Sequence, residues 1–173
     1  AKTVLWEGVP KCIEMQVAEQ KDTEKRILFY WSKMYTSSIK QGNKYEKLKK
    51  AIVILITDFD LENLKTIDNY ISKWRIIEDC ERKIVLTDNL EIYIIELKKV
   101  KKTTIKNDLD KWLNFIINPK ENVDMENKEL KKAKEVLEEI SQDEHERYLA
   151  ELRQKYIMDQ YAIEEAGFDK GLK

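Results

Sequence analysis

The chain has 173 residues, of which 42% are hydrophobic and 38% charged. That length holds one sizeable domain, or a domain plus a helical appendage, and charge set among plentiful aliphatic residues excludes a disordered chain in favour of long solvated helices. The net charge of −1 excludes no partner, but residues 1–120 carry 23 basic against 18 acidic side chains and residues 121–173 carry 9 against 15, so a mildly basic body precedes an acidic tail.

Lys2–Trp6 is rich in β-formers, Glu7-Gly8-Val9-Pro10 punctuates it as a turn, and Lys11–Val17 reads as the return strand of a hairpin. A strand turns successive side chains to opposite faces, so Cys12, Glu14 and Gln16 share one face and Ile13, Met15 and Val17 the other. The apolar face is expected to pack. The polar face has two readings. Inside an α/β sheet, a carboxylate and a carboxamide ~7 Å apart look into one cleft and suit a hard cation with its water. On an edge strand, they line a wet surface.

A helix follows, capped by Asp22 or Thr23 and ended by Gly42, with Ile27, Trp31, Met34, Tyr35 and Ser38 at helical spacing. Arg26, Tyr30 and Lys33 form a second stripe that can lie over Glu14, or simply rim the core. Lys40, Lys44, Lys47, Lys49 and Lys50 make a basic loop around Tyr45, either a phosphate contact or a solvated face. Ala51–Thr57 is almost wholly apolar and β-branched, the pattern of a strand buried on both faces with a parallel neighbour. Asp58 and Asp60 follow it as metal ligands or, the preferred reading, as caps of a short helix over Leu61–Thr66.

Strands are expected at Tyr70–Ile77 and Leu90–Leu97, with a short one at Ile84–Leu86. Glu96 is expected to pair with Lys98 or Lys99, the first of a second basic group that runs to Lys106. Asp108–Ile116 reads as a helix with Leu109, Trp112, Leu113 and Ile116 inward, broken by Asn118-Pro119. From Met125 onward the chain is expected to be helical, with stripes at Leu130, Ala133, Val136, Leu137, Ile140 and at Tyr148, Leu149, Leu152, Tyr156. Ser141 with Glu144 has the capping-box spacing that starts a new helix.

Cys12 and Cys80 form no metal-ligand spacing, there is no signal peptide, and no run of ~18 apolar residues could span a bilayer, so a reduced, cytoplasmic protein is expected. Nucleotide-binding glycine loops, a serine-nucleophile elbow and zinc motifs are all missing, and His145, the single histidine, sits in an acidic stretch. Enzymatic chemistry here would run on carboxylates and a divalent cation.

Glu7-Gly8, Ile13-Glu14-Met15-Gln16, Lys25-Arg26, Tyr30-Trp31-Ser32-Lys33 and Tyr35, followed by Gly42…Tyr45, Asp58-Phe59-Asp60, Leu86-Thr87-Asp88 and Ile95-Glu96-Leu97, are an ordered set that resembles the PD-(D/E)XK nuclease family of transposases, also called recombination-promoting nucleases. The resemblance spans essentially the whole chain. It implies a restriction-endonuclease-like α/β fold: a mixed β-sheet flanked by helices over residues 1–118, with a helical C-terminal extension over 119–173. It further implies DNA as the partner, Mg²⁺ (or Mn²⁺) as the cofactor, Glu14 as metal ligand and catalytic residue, Gln16 in place of the usual Lys to orient the attacking water, and Arg26, Tyr30 and Lys33 toward the cleft. The family's second acid falls just upstream of Ala1, so reduced activity is an expectation for this chain. The alternatives are a non-catalytic DNA-binding or protein-interaction module on the same fold, and self-association through the C-terminal helices.

Overall fold

A computed structural model describes residues 2–6, 9–18, 22–100, 104–120 and 126–171, with 2–6, 144, 145, 159 and 162–171 described by backbone alone. Strands β1 (Lys2–Trp6) and β2 (Val9–Gln16) pair antiparallel, Lys2 opposite Ile13 and Trp6 opposite Val9. Val9 and Pro10 thus belong to β2 and not to the turn; Glu7 and Gly8 lie outside the described residues.

Strand β3 (Ala51–Thr57) runs parallel to β2 on one side and to β5 (Leu90–Glu96) on the other. Strand β4 (Ile71–Trp74) closes the far edge antiparallel to β5, giving a mixed sheet of order β1-β2-β3-β5-β4. The central position of β3 explains its composition: Ala51, Val53 and Leu55 are wholly buried, and a polar side chain there would have no water to bond. The predicted strand over Tyr70–Ile77 is shorter than expected. Ile84–Leu86 contributes only an isolated bridge from Val85 to Ile77, flanked by the Glu78 N–H donating to Ile84 and the Leu86 N–H donating to Ile76, and Ile84 and Leu86 are exposed.

Helix α1 (Thr23–Ser37) covers one face of the sheet, with Ile27 and Met34 buried and Tyr30, Trp31 and Tyr35 packed against Cys12, Val53, Leu55, Ile92 and Ile94. Trp31 stacks on Tyr35 at 4.8 Å and its indole N–H donates to the Ala51 carbonyl at 3.1 Å, which pins the helix to the start of β3. The helix ends at Ser37 with Ser38 as its cap; Gly42, expected in that role, serves a separate turn where its φ of +85° suits a residue without Cβ. The short helix expected over Leu61–Thr66 is a single 3-10 turn, Glu62–Leu64.

On the other face, α2 (Leu97–Val100) and α3 (Asp108–Ile117) bury Leu97, Val100 and Leu113 against Ile56 and Ile95. Asn107 and Asp110 cap α3 reciprocally: the Asp110 N–H donates to Asn107 Oδ1 at 2.9 Å and the Asn107 N–H to Asp110 Oδ2 at 3.2 Å. Tyr70 donates its hydroxyl to Asp110 Oδ1 at 2.6 Å. That bond and the Lys106 N–H hold the Asp110 carboxyl below the usual range although burial opposes them. Asp110 therefore takes an inward place, whereas Leu109, expected inward, is exposed. The chain leaves α3 at Asn118-Pro119, as the sequence predicts.

The described chain forms two compact units, Ala1–Ile117 and Asn118–Lys173. The second contains α4 (Lys128–Gln142), whose N-cap Asn127 accepts from the Leu130 N–H at 3.0 Å, and α5 (Glu144–Gly171). Ser141 does not start a helix: its hydroxyl donates back to the Glu138 carbonyl inside α4. Asp143 caps α5 by accepting from Glu146 N at 3.1 Å, since an acidic side chain suits the positive end of a helix. Met125 and the side chain of His145 fall outside the described residues.

Candidate active site

On β2 the two faces are used opposite to expectation. The polar face, Cys12, Glu14 and Gln16, is buried beneath α1, whereas Ile13, Met15 and Val17 are 39%, 56% and 75% exposed. Nor is β2 an edge strand, since β1 and β3 flank it, so the wet-edge reading of Glu14 fails. Packing alone would choose the reverse, because burying a carboxylate costs several kcal/mol unless partners compensate it.

Compensation comes from α1 and from β2 itself. Arg26 Nη2 donates to Glu14 Oε1 at 2.8 Å, and Gln16 Nε2 donates to the same oxygen at 2.9 Å. Gln16 Oε1 in turn accepts from the Thr23 hydroxyl at 3.4 Å. The sequence offers Thr23 as a cap, but the structure places it as a support for the carboxamide; its spacing of three from Arg26 and seven from Tyr30 is the signal that it shares their stripe. Arg26 lies 6.0 Å from the centre of the Tyr30 ring, so the aromatic face helps hold the guanidinium. Lys33, on the same stripe, is exposed and stands apart from this network.

The second oxygen of Glu14, Oε2, has no hydrogen-bond partner among the described residues. An unshared carboxylate oxygen beside a half-open guanidinium is a place for a cation or a donor from a ligand. Among the described residues no three His, Cys, Asp or Glu side chains gather to cage a metal. The donor set still fits a magnesium-like ion, which binds through one or two carboxylates and takes the rest of its shell from water and substrate phosphate.

Gln16, Thr57 and Glu96 stand in register across β2, β3 and β5 at the strands' C-terminal ends. Glu96 pairs with Lys99, as the sequence suggests, and also accepts at Oε1 from the Leu61 N–H at 2.9 Å. Lys99 donates further to the carbonyls of Leu64 and Ile67 at 2.9 and 2.7 Å. The backbone donor that Asp58 and Asp60 were expected to cap is thus met by Glu96. Asp60 Oδ1 is buried without a hydrogen-bond partner among the described residues.

The first basic segment ends up outside the bonds around Glu14. Lys40–Lys50 joins β3 at its N-terminal end, while Glu14 sits beside Leu55 toward the other end. Of the second group, Lys99 is an interior residue, and Lys101 and Lys102 are outside the described residues.

The family model described as PD-(D/E)XK nuclease family transposase matches residues 6–166. No curated protein and no solved structure matches the chain.

Proposed function

This chain belongs to the PD-(D/E)XK nuclease family of transposases, and from that premise we propose that it hydrolyses DNA phosphodiester bonds with the help of Mg²⁺ or Mn²⁺. The observation that carries the reading is Glu14: a carboxylate turned into the sheet's helix-covered face with one oxygen doubly bonded and the other unshared. Glu14 Oε2 would hold the cation. When bound, such an ion makes a water more acidic and offsets charge that builds on the phosphate.

The chain's own groups divide the remaining work. Arg26 and Gln16 fix Glu14 Oε1, so the carboxylate keeps one orientation. Gln16 retains a second N–H and a second acceptor site beyond its bonds to Glu14 and Thr23, enough to orient an attacking water. Being neutral, it positions that water without adding charge. Arg26 is a third exposed, so its guanidinium can also meet a phosphate oxygen. Tyr30 holds Arg26 in place, and Lys33, exposed further along α1, contributes a general attraction for the DNA backbone.

Self-association belongs to the same proposal. Val136, Leu137 and Ile140 on α4, and Tyr148, Leu152 and Tyr156 on α5, are between 40% and 65% exposed, an apolar surface that a second copy of these helices would cover. Leu137→Glu with Leu152→Glu should convert a dimer to a monomer in sedimentation. Among the described residues no helix is long and apolar enough to cross a membrane. Because the proposed substrate is DNA, we place the protein in the cytoplasm.

The test is nicking of supercoiled plasmid. Mg²⁺- or Mn²⁺-dependent nicking, lost on Glu14→Ala while the melting temperature changes little, is the expected result. Nicking that survives Glu14→Ala, or no nicking by the parent chain at any metal concentration, would overturn the assignment.

A further inference from the structure

The segment 38–50 contains five lysines and one acid, Glu46. Lys50 is spent on Glu91, its Nζ 3.0 Å from Oε1. Lys40, Lys44, Lys47 and Lys49 are all exposed and form no ion pair among the described residues. Four uncompensated ammonium groups within ten residues repel one another, so a chain selected only for stability would intersperse acids.

The segment also holds its shape. Asn43 N–H donates to the Lys40 carbonyl at 3.0 Å, Lys47 N–H to Lys44 at 3.1 Å and Leu48 N–H to Tyr45 at 2.9 Å, giving two successive turns. The Lys49 N–H then donates to the Ser38 hydroxyl at 3.2 Å and ties the far end back to the foot of α1. Tyr45, at the middle of the lysines, is 85% exposed and fills no core. The lysines are therefore displayed on an ordered platform.

Its distance from Glu14 follows from the sheet. Glu14 pairs with Leu55, four residues along β3 from Ala51, roughly 13 Å at 3.3 Å per residue. The platform projects beyond that end, so its ammonium groups stand roughly 15–20 Å from the carboxylate, or about five base pairs at 3.4 Å each.

We propose that Lys40, Lys44, Lys47 and Lys49 form a DNA phosphate anchor about five base pairs from the scissile bond, on the side of the site marked by the C-terminal end of α1. The inference rests on the DNA-cutting reading of Glu14. The anchor positions the duplex and reads no sequence, since ammonium groups on phosphates carry none.

Binding of fluorescent duplex DNA by the full chain, titrated with salt, tests it. Each phosphate neutralised contributes about 0.9 to the slope of log affinity on log salt, so Lys44→Ala with Lys47→Ala and Lys49→Ala should lower that slope by about 2–3. The corresponding three Lys→Arg changes should restore it. An unchanged slope and affinity in the alanine variant overturns the anchor. Lysine-dependent binding by a parent chain that never nicks leaves the anchor standing as a DNA contact and overturns the reading of Glu14, so the two failures are separable. Loss of affinity that Arg does not restore also overturns the anchor, because it would mark a structural role for lysine.

Discussion

Two carboxylates face the same side of this sheet, Glu14 on β2 and Glu96 on β5, and they are treated differently. Glu96 is only 2% exposed and both of its oxygens are bonded, one to a backbone N–H and one to a lysine that itself has three acceptors. Each oxygen and each charge there has a partner within the chain. Glu14 is as deeply placed, yet both of its donors crowd one oxygen, and its cationic partner is a third exposed. The first arrangement closes a structure; the second leaves room for something from outside. Sequence position alone, an acid near the end of a strand, does not separate them.

The sharpest way to test that contrast is to remove each cation. Lys99→Ala strands a buried carboxylate and frees three carbonyl or carboxylate acceptors, so it should cost about 3–5 kcal/mol in urea denaturation. Arg26→Ala leaves the buried Glu14 carboxylate with one donor, Gln16, at a place that solvent can still reach past the lost guanidinium, and should cost less, about 1–3 kcal/mol. Equal losses would break the comparison. Next in size is activity: Glu14→Ala should lower plasmid nicking at least ~100-fold, the scale of losing a key electrostatic group in a site.

A third carboxylate, Glu91, sharpens the comparison through pH. Burial opposes its ionisation, but hydrogen bonds from Lys73, Lys50 and Tyr93 outweigh that and bring the carboxyl to about 2 from 4.5. A depressed folded-state value means that this stabilisation is fully present above about 4.5 and is lost as pH falls toward 2. Lys73→Ala should therefore narrow the loss of stability across that window, and tryptophan fluorescence during acid unfolding reads it. The smallest effect is expected on the opposite face of β2, where Ile13→Thr should change stability by no more than about 0.5 kcal/mol, because its side chain is already 39% exposed.

Much of this was legible in the residues. The run at Ala51–Thr57 announces a central strand because both of its faces are apolar; Ala51, Val53 and Leu55 are wholly buried on one face, and Ile52 and Ile54 half-buried on the other. The stripe of Arg26 and Tyr30 was readable because helical spacing fixes which side chains share a face. What alternation cannot say is which face turns inward: on β2 it gives two sets of residues, and tertiary contact with α1 decides between them. The start of α5 was missed because Ser141 and Asp143 both stand three residues before a Glu, and only the accepted bond from Glu146 distinguishes them. Ile84 and Leu86 look like strand residues locally, but their pairing stops at the single bridge to Ile77, and among the described residues no longer ladder extends it.

The inverted strand also has a consequence for how the chain reaches its native state. Shifting β2 by one residue against β3 would turn Ile13 and Met15 under α1 and expel Glu14 and Gln16. That alternative pairing buries more apolar surface, worth up to about 1.5–3 kcal/mol for each side chain fully enclosed. It is thus a competitor that hydrophobic collapse favours, and the bonds from Arg26 and Thr23, which need α1 in place, help to reject it. Frustration of this kind should appear as a slow refolding phase that Glu14→Leu accelerates, because an apolar side chain at that position makes the native alignment the one that collapse also prefers.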